Sequence, residues 1–420
     1  MRVTVGRSDV NGAVRVPGSK SYTVRAAVCA ALAHGDSLIK GALRSDDAAA
    51  VLESITGLGA TVREADGGLA VRGGSLHASA APLWCRESAA TFRFLAAVAG
   101  TVPGVTILRC APSLARRPLE PLLEGMRQLG AECSFDAGSG VLTVRGTGHP
   151  SGRVVLQGDV SSQFISALLL SGPRVPGGLS VLLSSPIVSE QYVEMTRECM
   201  RCFGVDVAVL DGGRTFHVGE GGYRAARYVV EGDWSGGAAV LALGALAGQV
   251  RVRELPAESL QADVAVLDIL EKAGASVRSG GGEVMVSRAR LRPFDYDVSG
   301  CIDLLPVACA LGAAANGVTT LTGIARARDK ESDRVAAMVD GLAQLGVGVD
   351  AERDRMRVSG GGLHGGAVSS AGDHRIAMAL GILGAVTGDV TVDEAQSVAK
   401  TYPAFWETLA GLGVEVTLHE

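Results

Sequence analysis

The sequence predicts an α/β protein of two domains, each assembled from three copies of one unit of strands and helices. Three observations carry this. At 420 residues the chain is longer than one hydrophobic core usually serves. An apolar, helix-like run that ends at glycine and passes into an alternating strand recurs six times. Between those tails lie alanine-rich runs that are apolar on nearly every side, as helices enclosed within a domain are.

The tails are ITGLGATV, MRQLGAEC, MRCFGVDV, LEKAGASV, LAQLGVGV and LAGLGVEV, with glycines at Gly59, Gly130, Gly204, Gly274, Gly346 and Gly413. By subtraction, successive glycines are 71, 74, 70, 72 and 67 residues apart, far more regular than chance punctuation. Glycine fits the left-handed position after a helix, where a side chain would cost energy. The V-x-V or A-x-V that follows starts a half-buried strand. The enclosed helices are AAVCAALA, AAVLALGALAG and LLPVACALGAAANG. The glycine-rich stretches SGGGE and SGGGLHGGA fit hairpin turns between strands. Six units shared by two domains give three each, with a cleft between the domains in which a ligand can be enclosed.

Composition narrows the partners. A formal charge of -5 shows no basic excess, which argues against nucleic acid while leaving room for a local basic cleft. No run of 18 or more apolar residues occurs, so no membrane partner is expected, and MRVTVGRSDVNG lacks the apolar centre of a secretion signal. A cytoplasmic address is the expectation. The eight cysteines are scattered, as reduced and mostly buried cysteines of a cytosolic chain are. Cys199 and Cys202 form a C-x-x-C, but SEQYVEMTRECMRCFG reads as helix and no second pair or histidine cluster accompanies it, so no metal is expected.

The basic residues point to chemistry. Only five of the 39 are lysines, Lys20, Lys40, Lys272, Lys330 and Lys400, so a generic surface cation here is arginine. A lysine kept in such a chain suits tasks that need a compact ammonium with a tunable pKa. VPGSKSYTVRAAVCAALAHG sets Lys20, Ser21 and Arg25 at a turn leading into a helix, where free backbone N–H groups, a hydroxyl and two cations favour an anion. RARDKESDR packs Arg326, Arg328, Lys330, Glu331 and Arg334 ahead of the helix VAAMVDGLAQLG, pairing an acid and a base beside arginine. GDHRIAMALGIL starts a helix with Asp373, His374 and Arg375, SVAKTYPAF supplies Lys400, and GDVSSQFISALLL heads a helix with Ser161, Ser162 and Gln163. Together these suggest helix N-termini from several repeats gathered on an anionic ligand.

PGSKSYTVRA, RRPLEPLLEGMRQLGA, GDVSSQF, EGDWSGGA, DKESDR, DHRIAMA and AKTYP resemble, in order and spacing, the signature segments of the 5-enolpyruvylshikimate-3-phosphate (EPSP) synthase family. They run from residue 17 to residue 403. The resemblance implies the two-domain enolpyruvyl transferase fold, with six βαβαββ-type repeats, three per domain, around an interdomain cleft. One domain would span about 19–231 and the other 1–18 plus 232–420. It implies transfer of the enolpyruvyl group of phosphoenolpyruvate to the 5-hydroxyl of shikimate 3-phosphate, without metal or cofactor, by a monomer.

Carried over motif by motif, shikimate 3-phosphate would be held by Ser21, Arg25, Ser161, Ser162, Gln163, Ser189, Tyr192 and Lys330. Phosphoenolpyruvate would be held by Lys20, Ala89, Arg117, Gln163, Arg334, Arg375 and Lys400. Lys20, Asp303, Glu331 and His374 would form the acid–base set, with Asp303 as base at the acceptor hydroxyl and Glu331 and Lys20 at the enol methylene. Protonation of that methylene makes a cationic centre which the acceptor oxygen attacks, and the tetrahedral intermediate then loses phosphate as a methylene proton leaves. One group must give a proton and take it back, which suits a carboxylate beside lysines.

The chain departs from the family pattern in places. In WCRESAATFRFLAA, Arg86 and Ala89 stand at usual glycines and Ala90 at a frequent hydroxyl. A methyl at position 89 is associated in the family with insensitivity to glyphosate, so poor inhibition is expected. Val24 and Arg326 replace common asparagines near the expected acceptor site and raise a paralogous acceptor, such as a nucleotide, as an alternative. Cys110 invites comparison with the loop cysteine of UDP-N-acetylglucosamine enolpyruvyl transferase, but it lies eight residues before Pro118, a spacing that does not match. It reads as a small apolar residue at a strand end.

Overall fold

The computed structural model describes residues 1–147 and 152–419. The chain divides into two compact units, Gly18–Val230 and Met1–Pro17 together with the chain from Glu231 onward.

Each unit holds three four-stranded sheets built to one plan. The repeat from Leu83 to Gly146 shows it plainly. Strand Leu83–Trp84 leads through helix Ala89–Gly100 to strand Gly104–Arg109, and helix Glu120–Gln128 then leads to the hairpin of strands Glu132–Asp136 and Val141–Gly146. The first two strands pair in parallel, and the other contacts are antiparallel. A parallel pair needs a crossover, which the buried first helix supplies. All six sheets share this strand pattern, three in each unit, and in three of them one strand comes from a distant part of the chain.

Two exchanges close the units. The sheet of Gly35–Lys40, Gly68–Gly73 and Thr61–Ala65 takes its parallel strand from Arg227–Val229, at the far end of the same unit. In the other unit the N-terminal strand Arg2–Val5 lies between Val390–Asp393 and Val416–His419, while Val10–Arg15 pairs in parallel with Gly248–Arg253.

The six glycine tails are one capping motif. After helix Arg334–Gln344, the Gly346 N–H bonds the Ala343 carbonyl and the Val347 N–H reaches back to the Leu342 carbonyl, satisfying groups that a helix end leaves orphaned. The same pair of bonds closes the tails at Gly59, Gly130, Gly204, Gly274 and Gly413. All six glycines have φ between 80° and 104°. At Gly346 a Cβ would also meet His364 Cδ2 at 2.5 Å and the Gly362 carbonyl at 2.7 Å, because the linker that follows strand Arg355–Gly360 lies directly on the cap.

The alanine-rich runs become the enclosed first helices. In Trp234–Ala247 every residue but Ser235 is buried, and Lys20–Leu32 and Leu305–Ala314 are nearly as enclosed. Small side chains permit this close approach. Gly237, for example, leaves room for Leu255, whose Cδ1 would lie 2.8 Å from an added Cβ. No helix among the described residues is long and apolar enough to cross a membrane.

One turn expectation holds and one needs correction. SGGGE forms the hairpin between Ser276–Gly280 and Glu283–Ser287, with Gly281 and Gly282 at φ 61° and 77°. SGGGLHGGA instead links strand Arg355–Gly360 of one sheet to strand Gly366–Ser369 of the next. Its glycines serve close approach, since a Cβ on Gly360 would fall 2.0 Å from the Ala315 carbonyl and one on Gly365 2.4 Å from that of Gly388.

Two substitutions separate backbone strain from crowding at the caps. Gly413→Ala meets only the Asp9 carbonyl at 3.6 Å, so it is expected to cost the left-handed strain alone, about 1 kcal/mol. Gly346→Ala carries the clash as well and is expected to cost clearly more in urea unfolding. Equal losses would show that the linker over the cap yields freely.

Candidate active site

In the unit from Glu231 onward, the first turns of several helices carry charges inward. Asp333 caps helix Arg334–Gln344 by accepting from the Ala336 N–H at 3.0 Å, which fixes Arg334 at its first position. Asp373 likewise caps helix His374–Gly381 through the Arg375 N–H at 2.9 Å. Asp303 sits in the short turn Ile302–Leu304 before helix Leu305–Ala314.

These residues form one ionic network around Arg334, whose side chain is 1% exposed. Its Nε donates to Asp373 Oδ2, Nη1 to Asp303 Oδ1 and Nη2 to Glu331 Oε2, each at 2.7 Å. Lys330 Nζ lies 3.3 Å from Asp303 Oδ1, Arg375 Nη2 3.2 Å from Asp303 Oδ2, and Lys400 Nζ 3.8 Å from Glu331 Oε1. On the other side of Arg375, Nη1 lies 3.5 Å from Asp263 Oδ2, which also accepts from the Ser235 hydroxyl. His374 is buried with Nδ1 3.5 Å from Asp373 Oδ1.

The electrostatics separate the carboxylates. Burial opposes ionisation of Asp303, yet Arg375, Lys330 and Arg334 outweigh it and hold the group well below the usual carboxylate range. Burial dominates at Asp263, whose carboxyl is pushed up to about 6 with Arg375 opposing and Asp303 assisting. Removal from water also lowers the Lys330 ammonium below its ordinary value, with Asp303 working against that shift.

The unit Gly18–Val230 carries a second group of polar side chains. Ser19 caps helix Lys20–Leu32, and Lys20 Nζ lies 3.2 Å from Asp47 Oδ2. Arg25 is buried and bonds only neutral groups. Its Nε donates to Thr196 Oγ1 at 2.8 Å, and its Nη atoms to the carbonyls of Ser21 and Tyr192 at 2.9 Å. Burial pushes this guanidinium below its ordinary value, offset in part by Cys199 and Tyr22. Ser161 caps helix Ser162–Ser171, and Gln163 Oε1 accepts from Arg93 Nη1 at 2.7 Å. Arg93 also donates to the Pro118 carbonyl, beside the half-buried Arg117. Ser189 holds a left-handed φ of 51°, and Ala89 opens helix Ala89–Gly100.

The sequence-derived residues thus fall into two sets. Asp303, Lys330, Glu331, Arg334, Arg375 and Lys400 share the network of one unit, with His374 beside it. Lys20, Ser21, Arg25, Ala89, Arg117, Ser161, Ser162, Gln163, Ser189 and Tyr192 belong to the other. Asp47, Arg93 and Asp263 escaped the sequence analysis, and Asp373 was noted there only as a helix start. Arg93 had a signal, a charge inside the apolar run AATFRFLAAVAG. Asp263, in ADVAVLDIL, had only its position among apolar residues.

Residues 5–409 match the family described as EPSP synthase (3-phosphoshikimate 1-carboxyvinyltransferase). The chain belongs to the EPSP synthase family. A 3-phosphoshikimate 1-carboxyvinyltransferase from Dehalococcoides mccartyi is 39% identical, with 99% of each chain covered. An EPSP synthase structure from Acinetobacter baumannii superposes with a TM-score of 0.83 at 27% identity, covering 99% of this chain and 100% of that one. The enolpyruvyl transferase NikO from Streptomyces tendae shares the fold, with a TM-score of 0.80 at 20% identity over 99% of this chain and 98% of that one.

Against the EPSP synthase pattern, the departures take on physical meaning. Val24 is fully buried in the core. Its apolar side chain joins helix Lys20–Leu32 to its neighbours. Arg326 donates to the Ser299 carbonyl at 2.6 Å, joining its turn to the segment after strand Asp295–Asp297. Cys110 ends strand Gly104–Arg109 with 4% exposure, and burial pushes its thiol up to about 11 against Arg117 and Arg93, the reverse of an activated nucleophile.

Arg334→Gln would leave three carboxylates without their shared cation. We expect a loss of about 3–5 kcal/mol, seen as a fall of roughly 10 °C in the thermal midpoint by circular dichroism. A midpoint near that of the parent would mean the network contributes little to this unit.

Proposed function

We propose that this chain transfers the enolpyruvyl group of phosphoenolpyruvate to the 5-hydroxyl of shikimate 3-phosphate and releases phosphate, acting as a cytoplasmic monomer. The observation that carries the reading is the network in which Lys330, Arg334, Arg375 and Lys400 surround Asp303 and Glu331. Two anionic substrates need several fixed cations, and the reaction needs a carboxylate able to give and retake a proton.

The roles follow the chemistry of each side chain. Lys20, Arg117, Arg375 and Lys400, with Gln163, hold the carboxylate and phosphate of phosphoenolpyruvate. Arg334 contributes through its grip on Asp303 and Glu331 as well as by charge. The acceptor lies on Ser21, Arg25, Ser161, Ser162, Ser189, Tyr192 and Lys330. Arg25 suits this, because a buried guanidinium bonded only to neutral groups gains from an anion nearby. Asp303 takes the hydroxyl proton. When Lys330 and Arg375 turn to substrate, the charges that hold Asp303 low are shared, and its basicity rises. Glu331, 3.8 Å from Lys400, exchanges the methylene proton together with Lys20 while His374 completes the acid–base set.

Phosphate release from purified protein given both substrates tests the reading directly, and no release with shikimate 3-phosphate would overturn it. Glu331→Gln is expected to bind both substrates while turnover falls at least about a hundredfold. Turnover near the parental rate would remove Glu331 from proton transfer.

Ala89 is half-buried at the start of its helix, with a methyl where the family usually has none. Glyphosate is expected to inhibit poorly, and Ala89→Gly to lower its inhibition constant at least about tenfold. An unchanged constant in that variant would exclude the methyl as the cause.

A further inference from the structure

Asp263 is a buried carboxyl to which the reaction scheme gives no task. It lies in the turn Ala262–Ala265 and is 1% exposed. Oδ2 accepts from Ser235 and faces Arg375, but Oδ1, fully buried, has no hydrogen-bond partner. An uncompensated buried carboxylate oxygen costs stability, so packing alone gives no reason to keep it.

The turn itself is held firmly. The preceding Gln261 donates to Glu231 Oε1 at 2.6 Å and to the Gly232 carbonyl at 2.8 Å, and it accepts from the Trp234 N–H at 3.1 Å. The groups that bear on Asp263 are Asp233 and Ser235 at the start of helix Trp234–Ala247, Cys301 and Asp303 before helix Leu305–Ala314, and Arg375 on helix His374–Gly381.

Arg375 stands between two carboxylates. One nitrogen faces Asp263 at 3.5 Å and the other faces Asp303 at 3.2 Å. Nη1 also meets the Asp303 backbone carbonyl at 3.5 Å, so without the pull of Asp263 the guanidinium is freer to close onto Asp303 as a two-pronged pair with its carboxylate. Such a pair would occupy the fork meant for substrate and weaken Asp303 as a base. We infer that Asp263 is a positioning residue, which draws Arg375 away from Asp303 and so keeps the guanidinium presented to phosphoenolpyruvate. The inference rests on the proposed role of Arg375.

Steady-state kinetics of Asp263→Asn test it. Near pH 8 the variant is expected to lose about tenfold in kcat/KM for phosphoenolpyruvate, with KM for shikimate 3-phosphate within about twofold of the parent. Because the wild-type carboxyl titrates at about 6, the ratio of variant to parent should rise towards one as the pH falls to about 5, where both side chains are neutral. Taking the ratio cancels the titration of the substrate itself. A ratio that does not change with pH, or an equal loss for both substrates, would overturn the inference. Ser235→Ala, which frees the Asp263 carboxyl while keeping its charge, should give a smaller loss confined to phosphoenolpyruvate. It decides the matter if Asp263→Asn does not fold by circular dichroism, and no selective loss there would also overturn the inference. Arg375→Ala separates the two levels of the argument. If it leaves KM for phosphoenolpyruvate unchanged, the role of Arg375 fails and Asp263 falls with it. If it raises that KM while the Asp263 variant matches the parent, only the inference about Asp263 fails.

Discussion

The ionic network of one unit depends on a single guanidinium. Arg334 is enclosed, and Asp303, Glu331 and Asp373 reach it from three separate turns of the chain. Together with Arg375 and Lys330, a cation in that position keeps Asp303 ionised where burial alone would drive it to protonate. It also sets the spacing of the three carboxylates, because the planar fork offers its N–H groups in fixed directions. Lys330, Arg375 and Lys400 are placed in turn by the carboxylates that Arg334 holds.

The repeat explains how such turns come together. In every copy the first helix runs through the interior, and its first turn can carry a polar residue inward. Asp373 and Arg375 arise this way, as do Lys20 and Gln163 in the other unit. The second helix ends each time in the same two-bond glycine cap, which returns the chain into a hairpin on the far side of the sheet. Stability lies in the repeated apolar interior, so the helix starts are free to differ from copy to copy. That division is why one architecture can bear a network of eight charged groups, four cations and four carboxylates, in one unit.

Unfavourable burial is visible at Asp263, in this network, and at Arg25, in the other unit. One leaves a buried carboxylate oxygen without a partner, and the other buries a guanidinium among neutral groups. Both are unfavourable for packing alone, as polar groups gathered at functional sites often are.

The sequence by itself determined the repeat, because a helix cap is local. Whether a residue follows the last helical turn at positive φ depends on its immediate neighbours, and all six glycines marked it. Charged residues at helix starts were legible for the same reason, which is how Lys20, Glu331, Arg334 and Arg375 were found. Only the tertiary structure decided partners. Asp303 was reached through family likeness alone, and nothing near Asp263 or Asp47 in the chain announces the cation each one faces. The stretch SGGGLHGGA misled for a related reason, since a glycine-rich run does not say what backbone passes over it. Ion pairs and close packing join residues far apart in sequence, and their energies depend on distances that local pattern does not contain.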